Sequence, residues 1–273
     1  MAQVSFKKRL QSLSLIVCIV FAGSILFLTN AHAWDGTLNW LAGSIDQSRG
    51  HNVAALPAWH ARVMVLAWAI LLPLGVLIAR YFKVWPGQNW PHELDRREWW
   101  RAHLYLQCSG AVFAIAGALL IIIWGDAHES PDSYWHRLFG WTAIWCLVIQ
   151  IIGGLVRGTT GGPTYPAPNG SIRGDHYDMT TRRIIFEYFH KSIGYLALLS
   201  GCAAIIAGLW MLNAPRWMWL SILTWWLALI VAAIMFERAG HAVGTYQAIW
   251  GPDPQHPGNQ TQLHKIHSGK RNS

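Results

Sequence analysis

Four histidines stand just inside the start of four successive apolar runs: His60, His103, His136 and His190. An imidazole within a membrane span is costly and needs a partner, so each is a functional candidate. One alone reads equally well as a satisfied interfacial side chain; four in four consecutive runs do not. Successive membrane helices alternate in direction, so His60 and His136 fall near one face and His103 and His190 near the other. The expectation is two pairs at two depths, aimed inward from alternate helices of a four-helix bundle. Zinc usually takes four ligands, or three and water, often with Cys or carboxylate. No Cys or Asp stands one turn from these histidines to complete such a shell. Haem brings four equatorial nitrogens and asks only for axial ligands, which histidine supplies. Two bis-histidine haems stacked across a membrane are therefore the expected cofactors.

The neighbouring residues add to this. His136 is followed at i+4 by Gly140 and His190 by Gly194. Residues at i and i+4 share a helix face, so each glycine leaves room for a flat macrocycle beside the ligand. Close packing of helices through small residues explains them equally well. His60 and His103 carry Met64 and Gln107 at the same spacing. Among the basic residues near the second pair, Arg80, Arg157, Arg182, Arg183 and Lys191 can neutralise haem propionates or an anionic reductant, though a role as topology signals alone also explains them. Arg80 and Lys191 are placed closest to the haem level.

The elements that must position these groups follow from composition. The chain has 273 residues, of which 53% are hydrophobic and only 12% charged, against about 25% charged in an ordinary soluble domain. It has 18 tryptophans, many of them at the ends of the apolar runs, where indole rings favour the membrane–water interface. The net charge of +8 is spread over alternate loops and forms no basic domain, so nucleic acid is not an expected partner. The four cysteines, Cys18, Cys108, Cys146 and Cys202, all lie in apolar runs and read as small buried hydrophobes.

Five spans are predicted, at 57–83, 99–124, 134–156, 183–212 and 217–239, each long enough to cross about 30 Å of hydrocarbon. Their continuous apolarity marks helices rather than barrel strands. The fold class is thus all-α: a polytopic membrane bundle with a four-helix di-haem core over 57–240 and one further C-terminal helix within that range. Residues 1–33 have a basic start, an apolar stretch and Ala31-His32-Ala33, the grammar of a signal peptide or an uncleaved signal-anchor helix. Excess Lys and Arg after the first, third and fifth spans place those loops and the 241–273 tail in the cytoplasm, with 34–56 periplasmic. The loop 158–180 is rich in Gly and Pro and is expected to be irregular and exposed, with a helix start at Thr180 or Thr181. The tail after Pro252 is expected to be loosely ordered. Of the remaining histidines, His176 reads as a turn residue or a donor contact, and His241 as a neighbour that tunes a haem. His256, His264 and His267 are too irregularly spaced for a metal site.

Several strings here resemble the core domain of the eukaryotic-type cytochrome b561 family. They are His60-Ala61-Arg62-Val63-Met64, Pro73-Leu74-Gly75, Arg80-Tyr81-Phe82, His136-Arg137-Leu138-Phe139-Gly140-Trp141 and Phe189-His190-Lys191-Ser192-Ile193-Gly194-Tyr195. The likeness runs over roughly 55–240, and Gly174-Asp175-His176-Tyr177-Asp178-Met179 and Thr245–Pro252 look like bacterial members. The resemblance implies four axial ligands on the four histidines, paired as above, and transmembrane electron transfer in a bacterial inner membrane. No Gly-rich dinucleotide fingerprint is present, so an electron carrier is expected rather than a complete reductase. Its partners would be the bilayer, a donor (a quinol, a small reductant or a protein), an acceptor and, as an option, a second copy in a homodimer. Two other readings stand beside this one: a haem-bearing membrane anchor of a larger oxidoreductase, and a haem-free transporter using membrane histidines.

Overall fold

The computed structural model describes residues 31–124, 133–159, 161–164, 166 and 169–260. The segment up to residue 30, the acidic connection 125–132 and the tail beyond 260, with His264 and His267, lie outside the described residues, as does Cys18. The described elements are the helices α1 (Ala31–Ala42), α2 (Ala55–Tyr81), α3 (Glu98–Trp124), α4 (Ser133–Leu155), α5 (Thr181–Met211), α6 (Arg216–Arg238) and α7 (Thr245–Trp250). Helices α2 to α6 are each long and apolar enough to cross a membrane, at nearly the predicted positions. The chain is a polytopic helical membrane bundle. At the start of α5, the Thr180 hydroxyl accepts from the Arg183 N–H and caps the helix.

Helix α2 is not uniform. Its Leu66–Leu71 turn is π-helical, and the Leu72 N–H reaches back to Ala67 O. Pro73 follows at once. A proline within a helix has no N–H for the carbonyl four residues back and clashes with it, and one extra residue in the turn relieves the clash. The carbonyl left over is that of Ala69. Trp225 on α6 supplies the missing donor, its Nε1 lying 2.7 Å from Ala69 O.

Around this turn sits a core of small residues, Ala67, Ala69, Ala114 and Ala143, with Trp68 among them. Small side chains let membrane helices approach closely, because packing rather than apolar burial drives their association. Gly201 on α5 shows the constraint: a Cβ there would stand 2.5 Å from Trp68 Cε3. Helix α2 packs along α3, and α4 along α5, giving two hairpins that meet chiefly through α2 against α5.

The chain forms two compact units, one of residues up to His51 with Asn213–Ser221, the other of Asn52–Leu212 with Ile222–Ser273. In the first, buried Asn213 donates to Asp46 O at 2.8 Å and to Arg49 O at 2.6 Å, and accepts from Asp46 N. Arg216 lies 5.0 Å over the Trp40 ring.

In the second unit, two expectations are corrected. The 158–180 loop is irregular but not simply exposed, and the tail is not loose as far as residue 260. Asp95 is buried, pairs with Arg97 and accepts from Thr164, which pins the loop to the segment ahead of α3. Asp175 accepts from Thr159 and Thr180, and the Thr159 N–H foremost, then the Thr180 hydroxyl, hold its carboxyl below the usual range. The tail turns back through Gly251, whose φ of 89° suits glycine. Asn259 then donates to Gly251 O and Asp253 O. His256 stacks on Trp250 with ring centroids 5.2 Å apart. These segments are polar in sequence, yet their aromatic and amide side chains close on one another.

Candidate functional site

The four histidines meet in two pairs. The rings of His60 and His136 have centroids 5.9 Å apart, and those of His103 and His190 6.4 Å, each pair being nearly perpendicular. Each pair bridges the two hairpins, taking one residue from α2 or α3 and one from α4 or α5.

Neighbouring helices fix the imidazoles. His60 Nδ1 donates to Gly117 O at 2.8 Å, His103 Nδ1 to Gly75 O at 2.9 Å, and His136 Nδ1 to Ala204 O at 2.9 Å. A carbonyl can only accept, so Nδ1 carries the proton and Nε2 keeps its lone pair. Glycines make the approach feasible. A Cβ on Gly208 would come within 3.0 Å of His136 Nδ1, and one on Gly117 within 2.8 Å of Val63 Cγ2. His190 is held otherwise: Phe186 stacks on it at 5.1 Å, and Gln150 Nε2 donates to its carbonyl at 2.6 Å. Its Nδ1 has no hydrogen-bond partner among the described residues.

This arrangement fits a group that brings its own equatorial donors. Two imidazoles bound to one metal through bonds of about 2 Å put their ring centroids roughly 6 Å apart, as both pairs do. Among the described residues, no cluster of three or more His, Cys, Asp or Glu side chains is placed to hold a bare metal ion. Gly140 has open space where a Cβ would stand, whereas Gly194 is met by Gln150 Nε2 at 3.1 Å. Room for a flat ring thus exists beside Gly140, while Gly194 admits a neighbouring amide.

The end of the bundle bearing His103 and His190 is rich in cations. Arg80 pairs with Glu237 at 3.0 Å, and Lys191 with Glu187 at 3.1 Å. Glu187 also pairs with Arg183 and accepts from the Tyr246 hydroxyl at 2.8 Å. Burial and the Glu187 carboxylate push that hydroxyl above its usual range. Arg157 lies 5.0 Å over Trp100, one turn before His103. Sequence reasoning missed Lys83, which is buried and donates to Val243 O at 3.0 Å. Desolvation, then Arg80 and Lys191, bring its ammonium down to about 8.

His176 does lie in a turn, 175–179, but it is buried there rather than facing solvent. It is 1% exposed, packed 4.5 Å from the Tyr246 ring and 5.0 Å from Trp250, with neither ring nitrogen hydrogen-bonded to any described residue. Burial foremost, then Arg183, lowers it to about 3, so it is neutral. Its aromatic partners lie roughly seventy residues further along the chain, and only the flanking Tyr177 and the Tyr246–Trp250 spacing hinted at the cluster. His241 packs against Phe236 at 5.7 Å.

Comparison with known proteins bears on the same region. The profile of a family described as eukaryotic cytochrome b561 matches residues 59–216. An Arabidopsis thaliana protein named for cytochrome b561, DM13 and DOMON domains is 33% identical over 55% of this chain and 14% of its own length. A second from that plant, named for cytochrome b561 and DOMON domains, is 25% identical over 65% of the chain and 36% of its own length. A Xenopus laevis protein, named as a candidate ferric-chelate reductase 1, is 26% identical over 55% of the chain and 22% of its own length. The chain therefore spans well under half of these relatives. No solved structure matches it.

Proposed function

The chain belongs to the eukaryotic cytochrome b561 family, and from that premise we propose that it carries electrons across the membrane through two b-type haems. Membership accounts for b-haem binding and membrane electron transfer in general; the number and placement of the haems are our reading. One haem would be held by His60 and His136, the other by His103 and His190. The observation that carries this is the pair of imidazole spacings, 5.9 and 6.4 Å. When bound, each haem supplies a one-electron iron centre whose potential depends on its axial ligands and surroundings.

The chain's own residues do the rest. Gly117, Gly75 and Ala204 carbonyls hold three imidazoles in the tautomer that presents Nε2. Small residues keep the hairpins close, and the apolar helix faces exclude water from both sites. Arg157, Arg183 and Lys191 offset negative charge near His103 and His190.

We place the His103/His190 end in the cytoplasm, since its loops carry most of the Lys and Arg, and the His60/His136 end in the periplasm of a bacterial inner membrane. A donor with negative charge would meet Arg80 and Lys191 on arrival. An acceptor would dock at the opposite end. The deciding experiment is a pyridine haemochrome assay normalised to protein, with electron transfer from an enclosed reductant to an external acceptor in oriented vesicles. Two haems per chain and transfer across the bilayer are expected. Saturation at one haem, or a folded but colourless protein, overturns the reading.

A further inference from the structure

Three of the four histidines share one device, and the fourth departs from it. Within the first hairpin the device is reciprocal. His60 on α2 donates to α3 at Gly117, and His103 on α3 donates back to α2 at Gly75. Each accepting carbonyl stands roughly four turns beyond the histidine of its own helix. In the second hairpin, His136 on α4 donates to α5 at Ala204, again roughly four turns beyond that helix's own histidine. The return bond, from His190 to α4, is the one not formed. Roughly four turns beyond His136, where that acceptor belongs, stands Gln150.

Gln150 is already joined to His190, through Nε2 and the histidine carbonyl at 2.6 Å. Among the described residues its other polar atom, Oε1, is buried without a hydrogen-bond partner, and so is His190 Nδ1. One is an acceptor and the other a donor. Buried polar groups are nearly always paired, and two complementary orphans on two bonded residues are best explained together. Gly194 gives the amide its space, with a Cβ there reaching 3.1 Å from Nε2. The first hairpin carries the same couple exchanged between its helices, with Gln107 on α3 against Gly75 on α2 and its Nε2 on Leu72 O.

We propose that Gln150 is the positioning residue for His190: its Oε1 accepts the His190 Nδ1–H while its Nε2 holds the carbonyl of the same residue. The inference rests on the reading of His103 and His190 as an axial pair. A helix carbonyl already serves a donor in its own helix, whereas a side-chain amide oxygen has no such competitor. The bond to His190 would thus make that imidazole the more basic ligand, favouring the ferric state.

The test uses the full chain with its haems bound. Gln150→Leu should raise the midpoint potential of one haem, shift its low-spin electron paramagnetic resonance signal, and weaken its retention about 10- to 100-fold. A tenfold change in the ferric-to-ferrous binding ratio reads as about 59 mV. The other haem should not move. Gln150→Glu keeps an acceptor oxygen and, as the stronger acceptor, should retain that haem and hold its potential at or below the wild-type value. Gly194→Ala, which crowds the amide, should act in the same direction as Gln150→Leu, and the double variant should match Gln150→Leu alone. Unchanged potential, spectrum and retention in Gln150→Leu overturn the proposal, as does an effect on both haems alike. Failure of the underlying reading looks different: His190→Ala would then keep both haems whatever occupies position 150.

Discussion

The indole of Trp225 and the carbonyl of Ala69 form a 2.7 Å hydrogen bond at the carbonyl that Pro73 leaves without its helical donor. Helix α6 has no buried residue of its own, so this bond, with the Arg80–Glu237 pair, is a specific polar tie to α2. Trp225→Phe keeps the aromatic bulk and removes the donor. It should cost about 1–3 kcal/mol, the range for stranding a buried carbonyl. Pro73→Ala restores a donor from within α2, so the cost of Trp225→Phe should largely vanish in that background. Thermal unfolding of the four variants in detergent measures the coupling. Equal costs in both backgrounds would show that Trp225 acts by packing alone.

The pairing of the histidines makes a second prediction. His60→Ala or His136→Ala should each remove about half of the haem, and the double variant little more, because a bis-histidine site is lost with either ligand. The same holds for His103 and His190. His60→Ala with His103→Ala should instead empty both sites. Haem content per protein decides it. Were the His60 and His103 variants to behave as a single site, the pairing would be wrong.

Charge at the His103/His190 end makes a third. Arg80 and Lys191 sit half or more exposed beside Glu237 and Glu187, so their pull on a donor is partly offset and screened. Reduction by a small anionic donor should slow with salt, as fields fade beyond about 10 Å at 0.1 M. It should slow further on charge reversal at either position. Stopped-flow rates that ignore both ionic strength and charge reversal would leave these residues with a topological role only.

A fourth concerns pH. Lys83 is lowered from its ordinary value to about 8 and His176 to about 3, both chiefly by burial. In each case the unfolded chain binds the proton more readily, so stability rises with pH between the folded and unfolded values. For His176 it is lost as pH falls from about 6.5 towards 3. For Lys83 it is gained from about 8 up to about 10.5. Lys83→Met should flatten the alkaline slope and His176→Phe the acid one. Each effect should reach a few kcal/mol at most, since a tenfold change in proton affinity is worth about 1.4 kcal/mol. Unfolding midpoints across the two windows test this, and an unchanged slope in either variant would contradict the burial argument for that residue.

The spans were legible because composition alone signals a membrane helix, and Thr180 because a hydroxyl before an apolar run is a local cap. The four histidines stood out as rare polar groups at matching depths. Less visible were Gly117, Gly75 and Ala204, whose part is played by backbone carbonyls that no side chain advertises. Gln150 is also a polar group in an apolar helix, but a single amide shows no period and its partner lies on another helix. Of the two readings of Gly194, room for a macrocycle and close packing, the neighbouring Gln150 amide favours the second. The folded 158–180 loop and tail escaped because Asp95, His176 and Tyr246 find their partners far along the chain. A polar stretch reads as solvent-facing until those partners are known.

Each histidine pair draws one member from each hairpin, and the hairpins meet chiefly through α2 against α5. A rigid shift of one hairpin against the other therefore stretches or tilts both pairs together. Mechanical coupling of this kind denies the two centres separate adjustment by backbone motion. Whatever makes them differ must be written in side chains within a hairpin, such as Phe186 and Gln150 around His190. Drift between homologous sequences at those positions can then retune one centre while the other keeps its setting, with the scaffold unchanged.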